Sequence, residues 1–132
     1  MLYTTPAQGV MHHLVSIYSK ASMNWRSLIK TNEESFGRGT VFRFPAKHPF
    51  ESVVDFMIIE DHNPPSFCKL ICASGYHAGQ TELVLPAEAR HLSGGVSTVW
   101  LQNNWSKWVY PDCALESIHY IDCYPSNHGG QA

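Results

Sequence analysis

The sequence predicts an α+β fold, a mainly antiparallel β-sheet covered by a few helices. Three observations carry this prediction. Apolar stretches at 40–44, 51–60, 67–73 and 80–85 follow one another through the middle of the chain, divided by glycine- and proline-containing turns. A tryptophan-rich segment with helical spacing comes after them, over 97–108. The alternating strand and helix units of a doubly wound nucleotide-binding sheet are missing from the pattern.

The elements follow in chain order. The first nine residues carry Pro6 and Gly9 without a period and are expected to be flexible, while 10–17 is apolar with His12 and His13 inserted and leans towards a strand. Asn24 is a suitable cap for a short helix over 25–30, with Trp25, Leu28 and Ile29 on one face. Gly37 and Gly39 open a strand over 40–44 in which Phe42 and Phe44 oppose Val41, and Pro45 ends it. Residues 51–60 give the strongest strand signal, apolar through the middle and bounded by Pro49 and by Pro64-Pro65, and this strand should be central. A hairpin is expected from 67–73 through the turn at 74–79 to 80–85. Ala87-Glu88-Ala89-Arg90 is a short helical piece, and Gly94-Gly95 is a break.

With Ser97 or Thr98 as N-cap and Pro111 beyond its end, 97–108 reads as one helix. Leu101, Trp105 and Trp108 stand at i, i+4 and i+7 and make its apolar stripe, which leaves Trp100 off centre as a candidate contact residue. A last strand is expected over 115–124, and the polar, glycine-rich tail over 125–132 should be frayed. Phe42, Phe44, Val53, Phe56, Ile58, Leu85, Trp105 and Trp108 form the expected core.

At 132 residues the chain is expected to form a single domain over 1–132, large enough to fold without metals or disulfides. Hydrophobic residues make up 44% and charged residues 15%, which leaves apolar surface for a partner. The formal net charge is −2 and the nine Lys and Arg residues are scattered, so direct nucleic-acid binding is not expected. The sequence has no apolar run of membrane-spanning length and no secretory signal pattern, and a cytoplasmic location is expected. In that setting the four cysteines read as reduced thiols.

No chemical motif is compelling. Cys68 and Cys72 share a strand face about 13 Å apart, too far for one zinc ion. Ser74-Gly75 lacks the rest of a nucleophile elbow, because position 72 is Cys. Gly37-Arg38-Gly39-Thr40 has neither the spacing nor the Lys of a phosphate loop. Cys113 with His119 is the remaining catalytic combination, and a small hydrolase or metal-dependent enzyme using Cys and His residues is the alternative class. Neither a cofactor nor a metal is expected.

Several segments together resemble a known family. They are Trp25-Arg26-Ser27-Leu28, Arg38-Gly39-Thr40-Val41-Phe42-Arg43-Phe44-Pro45-Ala46 and Glu51-Ser52-Val53-Val54-Asp55-Phe56-Met57. Ser74-Gly75-Tyr76-His77-Ala78-Gly79, Val84-Leu85-Pro86-Ala87-Glu88-Ala89 and Asn104-Trp105-Ser106-Lys107-Trp108-Val109-Tyr110-Pro111 follow in the same order. The pattern resembles the immunity protein 45 family of bacterial polymorphic toxin and contact-dependent inhibition systems. The resemblance implies a small cytoplasmic protein that binds the C-terminal domain of one cognate toxin and blocks it by occlusion; a non-enzymatic monomer without membrane contact is expected. The mildly acidic balance suits a toxin with a basic nucleic-acid-binding cleft, such as a nuclease. The expected partner contacts are Glu60, Asp61, His62, Tyr76, Asp112, Glu116 and Asp122, polar and aromatic residues on loops and strand ends.

Overall fold

A computed structural model describes residues 24–125. Among the described residues there are eight strands: β1 (Arg26–Ser27), β2 (Ser35–Phe36), β3 (Val41–Pro45), β4 (Val53–Glu60), β5 (Cys68–Cys72), β6 (Thr81–Val84), β7 (Val96–Ser97) and β8 (His119–Ile121). Six of them form one sheet in the order β1-β8-β3-β4-β5-β6, and β2 pairs with β7 separately. Every pairing is antiparallel. As expected, β4 is central, because its apolar run tolerates a neighbour on each side. The β5–β6 hairpin also forms, closed by a 3₁₀ turn over Gly75–His77.

Register sorts the side chains into two faces. Phe42 lies opposite Phe56 and Tyr120, Phe44 opposite Val54, and Ile58 opposite Leu70, so these residues share one buried face. The α-helix found among the described residues, α1 (Thr98–Asn104), begins above this face. Ser97 caps it as expected, its Oγ accepting from the Trp100 N–H at 3.1 Å. Below it, Trp105 packs edge-on against Phe42 and Phe44, with ring centroids 5.6 and 5.2 Å away. Phe36, Phe56, Tyr110 and Tyr120 extend this aromatic cluster. Gln102 ties the helix to the start of the sheet by donating from Nε2 to the Leu28 carbonyl at 2.9 Å.

The helical segment runs over 98–109, as expected, but it is not α throughout. After Asn104 the chain widens into a π-turn over Trp105–Val109, in which the Tyr110 N–H donates to the Trp105 carbonyl at 2.9 Å. An i→i+5 turn rotates the chain less per residue than an α-turn, so the i+7 projection fails beyond Trp105. Trp108 is 38% exposed instead of buried, and Tyr110 takes the core position. Trp100, the expected contact residue, is 9% exposed and packs against Trp108 at 5.8 Å.

Other expectations shift for local reasons. The segment over 25–30 forms β1 followed by a turn, not a helix, because Arg26 and Ser27 pair with Tyr120 and His119. Leu28 is buried there and Ile29 is exposed. Val53 is 51% exposed, since it shares parity with Asp55 and lies on the face away from Phe42 and Phe44. The last strand is confined to His119–Ile121, after a 3₁₀ turn over Leu115–Ser117. The expected strand over 10–17 lies outside the described residues.

The second face of the sheet holds an ion pair between a buried carboxylate and a half-buried arginine. Asp55 is 3% exposed and accepts two hydrogen bonds from Arg43, directly opposite it on β3, at 2.8 and 2.9 Å. Tyr124 Oη donates to the same carboxylate at 2.5 Å, and the Asp55 N–H donates to Ser74 Oγ at 2.9 Å. Burial, with Asp55 second, pushes the Tyr124 hydroxyl far above the usual phenol range.

Trp105→Ala should lower stability by about 3–5 kcal/mol, whereas Trp108→Ala should cost less than about 1 kcal/mol, as read by urea unfolding. Tyr124→Phe should cost about 1–2 kcal/mol by removing a hydrogen bond to a buried carboxylate. Folding raises the Tyr124 pKa, so its contribution is complete below the ordinary value of 10.0 and declines as pH climbs past it. Tyr124→Phe should flatten that alkaline loss.

Candidate partner-binding surface

The antiparallel pairings divide the seven expected contact residues between the two ends of the sheet. Glu60 ends β4 opposite Cys68, and Val41, which begins β3, lies opposite Ile121 near the end of β8. Glu60, Asp61, His62 and Asp122 therefore share one end. Tyr76, Asp112 and Glu116 lie at the other, beside the start of β4 and the approach to β8.

At the first end an open cleft of about 400 Å³ is lined by Glu60, Asp61, His62, Arg38, Phe67 and Arg90, among others. Arg38 Nε lies 4.0 Å from one Glu60 oxygen, and His62 Nε2 lies 3.6 Å from the other. Both pairings are long and exposed, and such surface pairs contribute little. The Glu60 carboxylate is therefore free to exchange them for a partner's cation. Asp61 is better held. Its Oδ1 accepts from both the backbone and the side-chain nitrogen of Asn63 at 3.2 Å, and the Ser66 hydroxyl is the largest cause holding its carboxyl below the usual range. The opposite wall is set by Arg90, whose guanidinium stands 5.5 Å from the Phe67 ring centroid.

Asp122 lies just beyond β8, 74% exposed, and pairs with Arg26 at 3.2 Å. Arg26 also reaches Glu33 at 3.9 Å and stacks 5.0 Å from the Tyr120 ring centroid. A second hollow of about 440 Å³ opens here, with Arg26, Lys30 and Glu33 in its walls.

The other end presents Tyr76, which is 92% exposed. Its backbone N–H donates to Glu51 Oε2 at 3.1 Å, the leading cause that lowers the Glu51 pKa. Gly75 permits this grip. It sits at φ +67°, and a Cβ there would stand 2.1 Å from Glu51 Oε1. Asp112 and Glu116 are exposed on the turns between the π-turn and β8.

The cysteine and histidine chemistry has a different geometry. Cys68 and Cys72 point into the core face of β5, and burial pushes both thiols up. Burial also raises the Cys113 thiol, with the Trp105 side chain partly opposing it, which is opposite to the lowered pKa an activated nucleophile needs. His119 lies on β8 facing away from the core, opposite Arg43. Among the described residues no group of three or more His, Cys, Asp or Glu side chains could hold a metal ion.

Sequence reasoning missed Arg38 and Arg90 as cleft walls and missed the small β2–β7 pair. Gly94-Gly95 signals only the local turn between Arg90 and Val96, both glycines sitting at positive φ; nothing local signals the pairing of β2 with β7.

The cleft at this sheet end is bordered by exposed, weakly paired charges. No solved structure matches the chain. Residues 28–120 match the family model described as immunity protein 45, a span that includes the whole sheet core from Leu28 to Tyr120. The chain belongs to the immunity protein 45 family.

Proposed function

We propose that this immunity protein acts in the cytoplasm as a monomer, binding the C-terminal domain of one cognate toxin and neutralising it by covering its active or substrate-binding site. The family membership supplies the role and implies a toxin partner. The observation that carries the contact surface is the exposed end of the sheet bearing Glu60, Asp61, His62 and Asp122, where Glu60 and Asp122 are held only by long or exposed ion pairs and Asp61 is fixed in place by Asn63 and Ser66. A partner with a basic cleft, such as a nuclease, would draw these carboxylates towards it and speed encounter. Tyr76, Asp112 and Glu116 form a second set of candidate contacts at the opposite end, and one toxin domain of ordinary size is expected to engage one end. Among the described residues no helix is long and apolar enough to cross a membrane. Recognition of this kind needs a complementary rigid surface and no catalytic group.

Co-expression with the toxin domain encoded just upstream should restore growth, and the two proteins should co-purify. Toxicity without rescue or complex would overturn the assignment of that toxin as cognate. The combined variant Glu60→Gln, Asp61→Asn, Asp122→Asn should slow association by about tenfold at low salt and flatten its salt dependence, with the fold intact. An association rate insensitive to salt in the unaltered protein would place the contact elsewhere.

A further inference from the structure

The hairpin that contributes Arg90 and Gly95 to the cleft carries a side chain with no role in the fold. Arg90 bridges Val96 across this hairpin, and both Arg90 and Gly95 line the cleft. The connecting turn is closed by the Gly94 N–H donating to the His91 carbonyl at 2.9 Å and the His91 N–H donating to the Gly95 carbonyl at 3.0 Å. His91 Nδ1 and Ser93 Oγ lie 2.7 Å apart, and the Ser93 N–H donates to the same ring nitrogen at 3.1 Å. At the tip stands Leu92, 103% exposed.

Scattered exposed apolar side chains are ordinary on soluble proteins. Leu92 differs in two respects. Val53, Val84 and Val99 are 51%, 49% and 63% exposed and keep part of their surface against the protein, whereas Leu92 keeps none. Its backbone is also held in place, by the turn bonds and by Gly95, which sits at φ +76° so close to β2 that a Cβ there would stand 2.6 Å from the Phe36 carbonyl oxygen. A large aliphatic side chain held rigidly in water loses little further backbone freedom on binding, which is the preorganisation that favours an anchor.

We infer that Leu92 is the apolar anchor of the toxin contact, inserting into an apolar pocket on the toxin domain while the charged residues of the adjoining cleft, Glu60 and Asp61 with Arg38 and Arg90, meet complementary charges at that pocket's rim. This inference rests on the proposed immunity function. The charges beside the tip name the occupant's chemistry. Glu34 approaches His91 at 3.8 Å, and Glu60 and Asp61 line the adjoining cleft together with Arg38 and Arg90, so the partner pocket should be apolar with a margin of both charges, basic where it meets the three carboxylates and acidic where it meets the two arginines. An apolar centre inside a charged rim is the usual anatomy of a specific protein interface.

The test compares the unaltered protein, Leu92→Ala and Leu92→Asp against the purified toxin domain, by affinity measurement and growth rescue. Both variants should keep the unaltered melting temperature, because Leu92 makes no contact within the fold. Leu92→Ala should weaken binding by about tenfold or more, Leu92→Asp by considerably more with loss of rescue, chiefly through faster dissociation. If the unaltered protein binds and protects while both variants do so equally well, the anchor is overturned and the immunity function stands. If the unaltered protein itself fails to bind, the assigned function fails first. If the unaltered protein self-associates and Leu92→Asp abolishes that without changing toxin affinity, the occupant is a second copy and the inference falls.

Discussion

The edge-on packing of Trp105 against Phe42 and Phe44 is the constraint on which the rest of the molecule depends. It is the point where the helical layer meets the sheet, and the other aromatic rings are arranged around it. Seating the indole fixes the height and rotation of α1 over the sheet. That in turn determines where Gln102 meets the Leu28 carbonyl and where the chain must leave the helix to reach Tyr110, whose hydroxyl accepts from the Lys47 N–H at 2.9 Å. The π-turn is the local adjustment that allows Trp105 and Tyr110 to face the same core, and Trp108 is displaced outward as a result.

This also explains how much of the fold was legible in the sequence. The middle strands were readable because β3, β4 and β5 combine apolar runs with proline and glycine boundaries, and the Ser97 cap was readable because capping chemistry is local. The facing of Val53 was not, since a continuous apolar run carries no parity to show which side meets the core. The start of the chain's described part misled for another reason. Residues 25–30 carry a helical spacing, yet pairing with β8 overrides so short a propensity. The widened turn after Asn104 arises from tertiary fit, and no residue in 105–109 signals it.

The candidate surface was legible in composition and not in arrangement. Acidic residues near strand ends could be named from the sequence, but which end each occupies depends on strand order, and that order was not readable. Arg38 and Arg90 come from segments far apart in the chain and meet the cleft only because β2 and β7 pair. On the other sheet face, Arg43, Asp55 and Tyr124 show the same dependence. Asp55 looks like an ordinary charged position in a strand until register sets Arg43 opposite it, and the carboxylate is then satisfied on several sides. A buried charge of this kind adds less net stability than its short contacts imply, but it strongly disfavours any alternative register that would leave it unpaired.

The sheet's borders have a consequence for how such a protein persists while waiting for its target. Among the described residues the outermost strands are β1, with two residues, and β6, with four, and the β5–β6 pairing slips register between Leu70 and Ile71. A long, flat border would display unpaired peptide groups as a template on which further copies could stack into fibres. A stubby border on one side and a kinked one on the other deny that template a continuous length. Polymerisation through the backbone is therefore obstructed by strand length and register, independently of which side chains the surface displays.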